Sequence, residues 1–256
     1  MTSPGASALL LSAATAVAAG LMGCYALMRR MTLAGDALSH VALPGIGLAL
    51  LLGFHPFAGA LAALLAGVAL IWVLERRTGI NTETVVGVVF STALAVGALL
   101  TTGEELMDAL FGAPAALTPW ELGVGFVGSA LVIAFAVLAK DRLIVALVSP
   151  EIALTSGINV SRLNLLFLVA FAVTVALGLR YLGVLLMGSL VIIPAATARR
   201  LARNLAGMFA VSIAVAVLAT VLGTYVAAGL HRESGPIVVT IAAACFLLAT
   251  LYKPRR

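Results

Sequence analysis

The segment 35–45, "GDALSHVALPG", places Asp36 and His40 four residues apart at the head of an apolar run that continues to Gly53. Four residues is close to one helical turn, so on a helix the two side chains share a face. A hard carboxylate oxygen beside a borderline imidazole nitrogen makes half of a site for zinc, manganese or ferrous iron. Pro44 and Gly45 follow one turn later, where they are expected to kink the helix and free backbone groups beside the pair. Spacing alone leaves a plainer role open, with Asp36 as an N-cap and His40 bonded to a neighbouring helix. The other two histidines stand apart. His55 precedes Pro56 and reads as a loop residue, and His231, in "GLHRESGPIVV", reads locally as a solvated cap before a helix starting at Pro236.

The elements that must carry these residues are membrane spans. Of 256 residues 63% are hydrophobic and 10% charged, with a mean hydropathy of +1.20. A soluble domain carries about 25% charged residues. So few charges cannot cover a globular surface, and the expected fold is an all-α, polytopic transmembrane bundle forming a single domain over residues 1–256. A bilayer core needs about 20 apolar residues per helix. Windows of that size fall at roughly 7–28, 36–53, 56–75, 85–101, 122–139, 163–179, 181–198, 205–228 and 236–252. Two neighbouring pairs are nearly contiguous, so eight to nine spans are expected. The opening "MTSPGASALLL" lacks the positive leader of a cleaved signal peptide, so the first run is expected to be kept as a span.

Basic residues orient the bundle. If the C-terminal "KPRR" is cytoplasmic and the spans alternate, 13 of the 15 Lys and Arg lie inside, leaving only Arg180 and Arg232 outside. This predicts an outside N-terminus, an inside C-terminus and a cytoplasmic-membrane location. The pI of about 9.8 reflects the same bias and an attraction to anionic lipid, not nucleic-acid binding. Cys24 and Cys245 sit in apolar runs without metal or redox spacing. The outer acids Glu104, Glu105 and Asp108 read as a solvated face.

A pump needs an energy source. Lysine occurs only at Lys140 and Lys253, and neither follows a glycine, so the chain has no GxxxxGK[ST] phosphate loop. Nucleotide-driven transport would need a second polypeptide. One more segment is suggestive: "SPEIALTSGINVSR", residues 149–162, is a short apolar-patterned stretch on the predicted inner face, broken at Gly157. Alone it could be an amphipathic helix lying on the membrane. The Gly188-Ser189 and Ala195-Ala196-Thr197 stretch around Pro194 suits close helix packing.

Taken in order, five stretches resemble the membrane permeases of bacterial zinc- and manganese-type ABC importers. They are "GDALSHVALPGIGLALLLG", "ETVVGVVFSTALAVGALL", "ALFG", "PEIALTSGINVSRLNLLF" and "LGVLLMGSLVIIPAATARRLA". The resemblance implies a type II importer fold, a permease paired with a second copy, a cytoplasmic ATPase dimer and an external metal-binding protein. It implies no permanently bound cofactor, only a transported zinc, manganese or iron ion, and no enzymatic activity in this chain. Asp36 and His40 fall on the motif positions implied to form the translocation metal site. His231 aligns with the acid of a "D-x-P-[SA]-G-P" pattern, a departure that would put a nitrogen where the family has an oxygen. Glu151, Ala153 and Gly157 fall on the segment implied to be the coupling helix.

Rival readings remain at this stage. An ion-coupled secondary transporter would need more intramembrane acids than Asp36. A cobalamin or siderophore ABC permease would have no use for the Asp36–His40 pair. An intramembrane enzyme would need a third zinc ligand that scattered histidines do not supply.

Overall fold

Helix boundaries follow local chemistry. In the computed structural model, which describes residues 5–31, 34–100, 118–182 and 184–251 (backbone alone for 180–182 and 184–186), helix α1 runs Ala6–Met28 and stops at the Arg29-Arg30 pair. Next come α2 (Ala34–Val41) and α3 (Leu43–Leu52), separated only by Ala42. Pro44 has no N–H to offer the carbonyl of His40, so the hydrogen-bond ladder must break about there. At the break the Ala42 amide bonds Ser39 rather than a residue four back, at 3.3 Å. Gly53, at φ 72°, ends α3 in the left-handed conformation that glycine adopts freely.

Helix α4 (Pro56–Thr78) begins with proline at its first position and His55 as N-cap, whose Nδ1 accepts from the Phe57 amide at 3.2 Å. After α5 (Thr82–Leu100) comes α6 (Pro119–Leu138), opened by a capping box in which Thr118 and Glu121 satisfy each other's backbone amides. Two short helices follow, α7 (Lys140–Val148) and α8 (Pro150–Thr155), then α9 (Val160–Leu182) and α10 (Val184–Leu201). The last two are α11 (Leu205–Leu230) and α12 (Ser234–Leu251). No strand occurs among the described residues.

Among the described residues, eight helical segments are long and apolar enough to cross a membrane, with α2 and α3 together making one of them. Helix α10, of 18 residues, is a ninth long helix that ends in Arg199 and Arg200. The expectation of an all-helical bundle of eight to nine spans is met. The 102–121 segment with Glu104, Glu105 and Asp108, the "ALFG" stretch and the C-terminal "KPRR" lie wholly or mostly outside the described residues.

The layering is set by side-chain size. In α1, α2–α3 and α9 more than half of the apolar window is buried inside the chain, against a third or less in α4, α5, α6, α11 and α12. Outer helices instead expose Leu99, Leu138, Leu247 and Leu251, an apolar surface that only lipid or another apolar partner suits. Inside, helices meet through small residues. Gly45 on α3 faces the Gly59 carbonyl on α4, and Gly59 faces the Gly45 carbonyl in turn, leaving no room for a side chain at either position. Gly20 and Gly23 of α1 likewise press on the backbones of α11 and α10. Without a hydrophobic drive between helices in lipid, such close packing is what holds them together. Gly45→Leu should therefore separate α3 from α4 at a cost of about 1–3 kcal/mol or more. Its thermal unfolding in detergent should begin at a clearly lower temperature than wild type, and an unchanged Tm would refute this packing.

Candidate metal site and its surroundings

Helix α2 lies at the middle of the bundle's depth. Val41 packs over Gly67, midway along α4, where an added Cβ would come within 2.6 Å of Val41 Cγ1. Gly35 faces Phe171, midway along α9, with 3.5 Å between a Cβ there and the ring. On a third side α10 packs so closely that a Cβ on Gly188 would fall 2.6 Å from Asp36 Cα. The fourth neighbour is α5, whose Gly97 accepts Leu43 and Pro44. Small residues on surrounding helices thus fix the backbone of the segment that carries Asp36 and His40.

Asp36 belongs to the first turn of α2, which starts at Ala34, and is not its N-cap. Its backbone carbonyl accepts from Ser39 Oγ at 2.7 Å and pairs with His40 Nδ1 at 2.9 Å. A carbonyl only accepts, so Nδ1 is the protonated nitrogen of the ring. In the neutral imidazole that leaves Nε2 with its lone pair, the arrangement seen when a histidine ligates a metal and anchors its other nitrogen on a carbonyl. Phe90 of α5 holds the ring edge-on, with centroids 5.4 Å apart and planes at 82°.

Two cavities meet beside this turn. Asp36 lines one of about 210 Å3, together with Met31, Ala34, Ala37, Glu83 and Phe90. Met31 and Glu83 also line a larger one of about 1010 Å3 at the end of the bundle where α1 finishes and α5 and α9 begin. A polar network frames that end. Arg29 Nη1 donates to Asn164 Oδ1 at 2.5 Å, Asn164 Nδ2 to Glu75 at 3.0 Å, and Thr82 Oγ1 to Glu75 at 2.7 Å. Arg29 also lies over the Phe167 ring at 4.2 Å, and Arg76 over Trp72 at 4.8 Å. Burial pulls the Arg29 pKa down to about 10 while Glu75 pushes it back up, so the guanidinium stays charged at neutral pH. Spacing gave no hint of this network, because Arg29, Asn164 and the Glu75–Thr82 pair are far apart in sequence.

The remaining candidates lie elsewhere. His231 is exposed and caps the end of α11 in the left-handed conformation, φ 51°, and α12 starts at Ser234 rather than Pro236. No group of three or more His, Cys, Asp or Glu that could hold a metal occurs among the described residues, so His231 is not gathered with Asp36 and His40. His55, expected in a loop, caps α4 and sits 3.4 Å from Glu121, beside an apolar cavity of about 300 Å3. Pro44 and Gly45 stand just past the break between α2 and α3.

The 149–162 segment forms α8 and its cap. Ser149 accepts from the Ile152 amide at 3.4 Å, and Ala153 is fully buried. The Gly157 and Ile158 amides return to the Leu154 and Ala153 carbonyls, closing a Schellman turn with Gly157 at φ 76°. Glu151, Ile152 and Leu154 are exposed, Ile152 at 59% and Leu154 at 63%, a mixed apolar and acidic face on a short helix.

Comparison with known proteins decides the family. The sequence pattern of the ABC 3 transport family matches residues 5–253. The chain belongs to that family. It is 32% identical to the high-affinity zinc uptake system membrane protein ZnuB of Haemophilus influenzae over 92% of both chains. To the manganese transport system membrane protein MntC of Listeria monocytogenes it is 27% identical, over 97% of this chain and 90% of the other. The fold matches PsaBC from Streptococcus pneumoniae, solved in complex with Fab, at a TM-score of 0.83 and 27% identity, covering 96% and 90% of the two chains. This chain is a multi-pass membrane permease subunit of an ABC transporter, and ATP hydrolysis belongs to a separate subunit.

The packing of α10 on α2 has a measurable consequence. Gly188→Val should push the first turn of α2 away from α10, costing about 1–3 kcal/mol as an overpacked contact. Thermal unfolding of the purified variant in detergent should begin at a lower temperature than that of wild type. An unchanged Tm would show that the Asp36 backbone does not rely on Gly188.

Proposed function

We propose that this permease imports a divalent transition metal, zinc foremost and manganese or iron as alternatives, through a transient site formed by Asp36 and His40. The observation that carries the reading is Asp36 lining a cavity, one turn from an imidazole anchored through Nδ1 on the Asp36 carbonyl. A carboxylate at such depth costs at least about 2.5–3.5 kcal/mol and is retained where it faces a cavity or an ion. An oxygen and a nitrogen donor suit zinc, manganese and ferrous iron alike. The similarity to a permease named for zinc at 32% identity supports zinc as the first cargo to test.

Two side-chain ligands are fewer than the four that hold a structural zinc. The ion keeps water or gains a partner only in passing, and so it leaves. Tight capture falls to an external metal-binding protein, and no cofactor stays bound. With the Arg29 end in the cytoplasm, as the basic residues require, the N-terminus lies outside. An ATPase dimer then binds α8, with Ile152, Leu154 and Glu151 entering its groove while buried Ala153 and the Gly157 turn keep α8 fixed to the permease. A second copy of this chain completes the importer. ATP binding can shift access only through contacts that differ between the two conformations, and α8 supplies them.

Metal uptake in a bacterial strain lacking its own importers tests the site. Asp36→Ala and His40→Ala should each lower zinc uptake at least about tenfold, the size of effect that even outer-sphere partners of a metal show. Uptake and metal-stimulated ATPase activity unchanged in both variants would refute the assignment; the same strain given manganese identifies the cargo. Coupling is tested separately with Gly157→Val. A β-branched residue is strained at φ 76°, so ATPase activity should no longer respond to metal while zinc binding to the permease persists.

A further inference from the structure

We propose that Glu83 is the exit ligand of the pathway, taking the ion from Asp36 and passing it into the cavity at the Arg29 end; this rests on the reading of Asp36 and His40 above. The geometry is a junction. Glu83 and Met31 line both the small cavity of Asp36 and the large cavity beyond it, so an ion leaving Asp36 toward that end passes between them. Met31 is buried and offers only a weak thioether acceptor, whereas Glu83 is exposed and offers oxygens.

The charge around the large cavity makes that acid consequential. Arg29, Arg30 and Arg76 line it, against Glu75 and Glu83. Glu75 is committed, with one oxygen taken by Thr82 and the other by Asn164. Glu83 makes no hydrogen bond or ion pair among the described residues. A dication emerging into this space meets three cations, and Glu83 is the uncommitted carboxylate at the point of entry. Passage through a narrow path is fast when an ion steps between weak neighbouring sites rather than escaping from one directly into repulsion. Asp36 and Glu83, facing one cavity of about 210 Å3, provide two such steps.

A structural alternative exists, since Glu83 lies in the first turn of α5, where a carboxylate favours the helix dipole. The test separates the two. The complete importer, with its ATPase and metal-loaded binding protein, is reconstituted in liposomes carrying wild-type, Glu83→Gln, Glu83→Asp or Asp36→Ala permease. Equilibrium binding and the rate of delivery to the lumen are read with radioactive zinc alone and, in a parallel series, manganese alone; the Tm of each permease is recorded.

Glu83→Gln should bind the metal within about threefold of wild type and keep its Tm, yet deliver it about tenfold more slowly. Glu83→Asp, which keeps the charge, should deliver at close to the wild-type rate. Wild-type delivery by Glu83→Gln overturns the proposal. So does a loss of binding as deep as that of Asp36→Ala, which would make Glu83 part of the first site. Slow delivery by both Glu83 variants with a lowered Tm also overturns it and leaves a helix-stabilising role. Binding and delivery by Asp36→Ala at wild-type levels would instead sink the underlying site, whatever Glu83 does.

Discussion

An ionisable pair in the middle of an apolar bundle is tolerable only if the backbone around it is held and space is left beside it. The first condition is met by the absence of side chains on the neighbours of α2. Gly188 lets α10 reach the Asp36 backbone, Gly67 receives Val41, and Gly97 receives Leu43 and Pro44. Helices that approach this closely bury little volume between them. Space is left by the cavity bordered by Asp36, Glu83 and Phe90. Larger residues at these positions would push the helices apart and loosen α2.

The break at Ala42 follows from the same constraint. A continuous helix through residues 34–52 would pair every carbonyl and leave Asp36 and His40 as the sole polar groups on that face. Pro44 removes one amide, and the two side chains that follow Asp36 turn back onto its carbonyl. In lipid every polar backbone group must find a partner inside the protein or in a wet cavity. Here the local hydrogen bonds also decide the ring tautomer of His40.

How much of this was legible in the sequence depended on range. The spans, their approximate edges and the helix break at Pro44 are short-range properties set by hydropathy and by a missing N–H. The Asp36–His40 pair was legible for the same reason, being one turn apart. Glu83 was visible only as one more acid near a membrane edge, since its place beside Asp36 depends on how α5 lies along α2. The Arg29–Asn164–Glu75–Thr82 network was hidden for that reason too, although polar residues at or near the ends of long apolar helices were a signal that something must pair with them. His231 was legible locally as a cap, and it ends α11 in the left-handed conformation.

Helix α9 ties these levels together. It leaves the Gly157 turn after α8, contributes Asn164 to the network at the Arg29 end, stacks Phe167 under Arg29, and sets Phe171 against Gly35 beside Asp36. All of these lie within the first half of one helix, and its packed neighbours leave it little freedom to bend. Helix α9 is therefore in contact with α8, with the Arg29 end and with the Asp36 turn. Because α10 grips the other side of that turn through Gly188, any slide of α9 against α10 changes the space around Asp36.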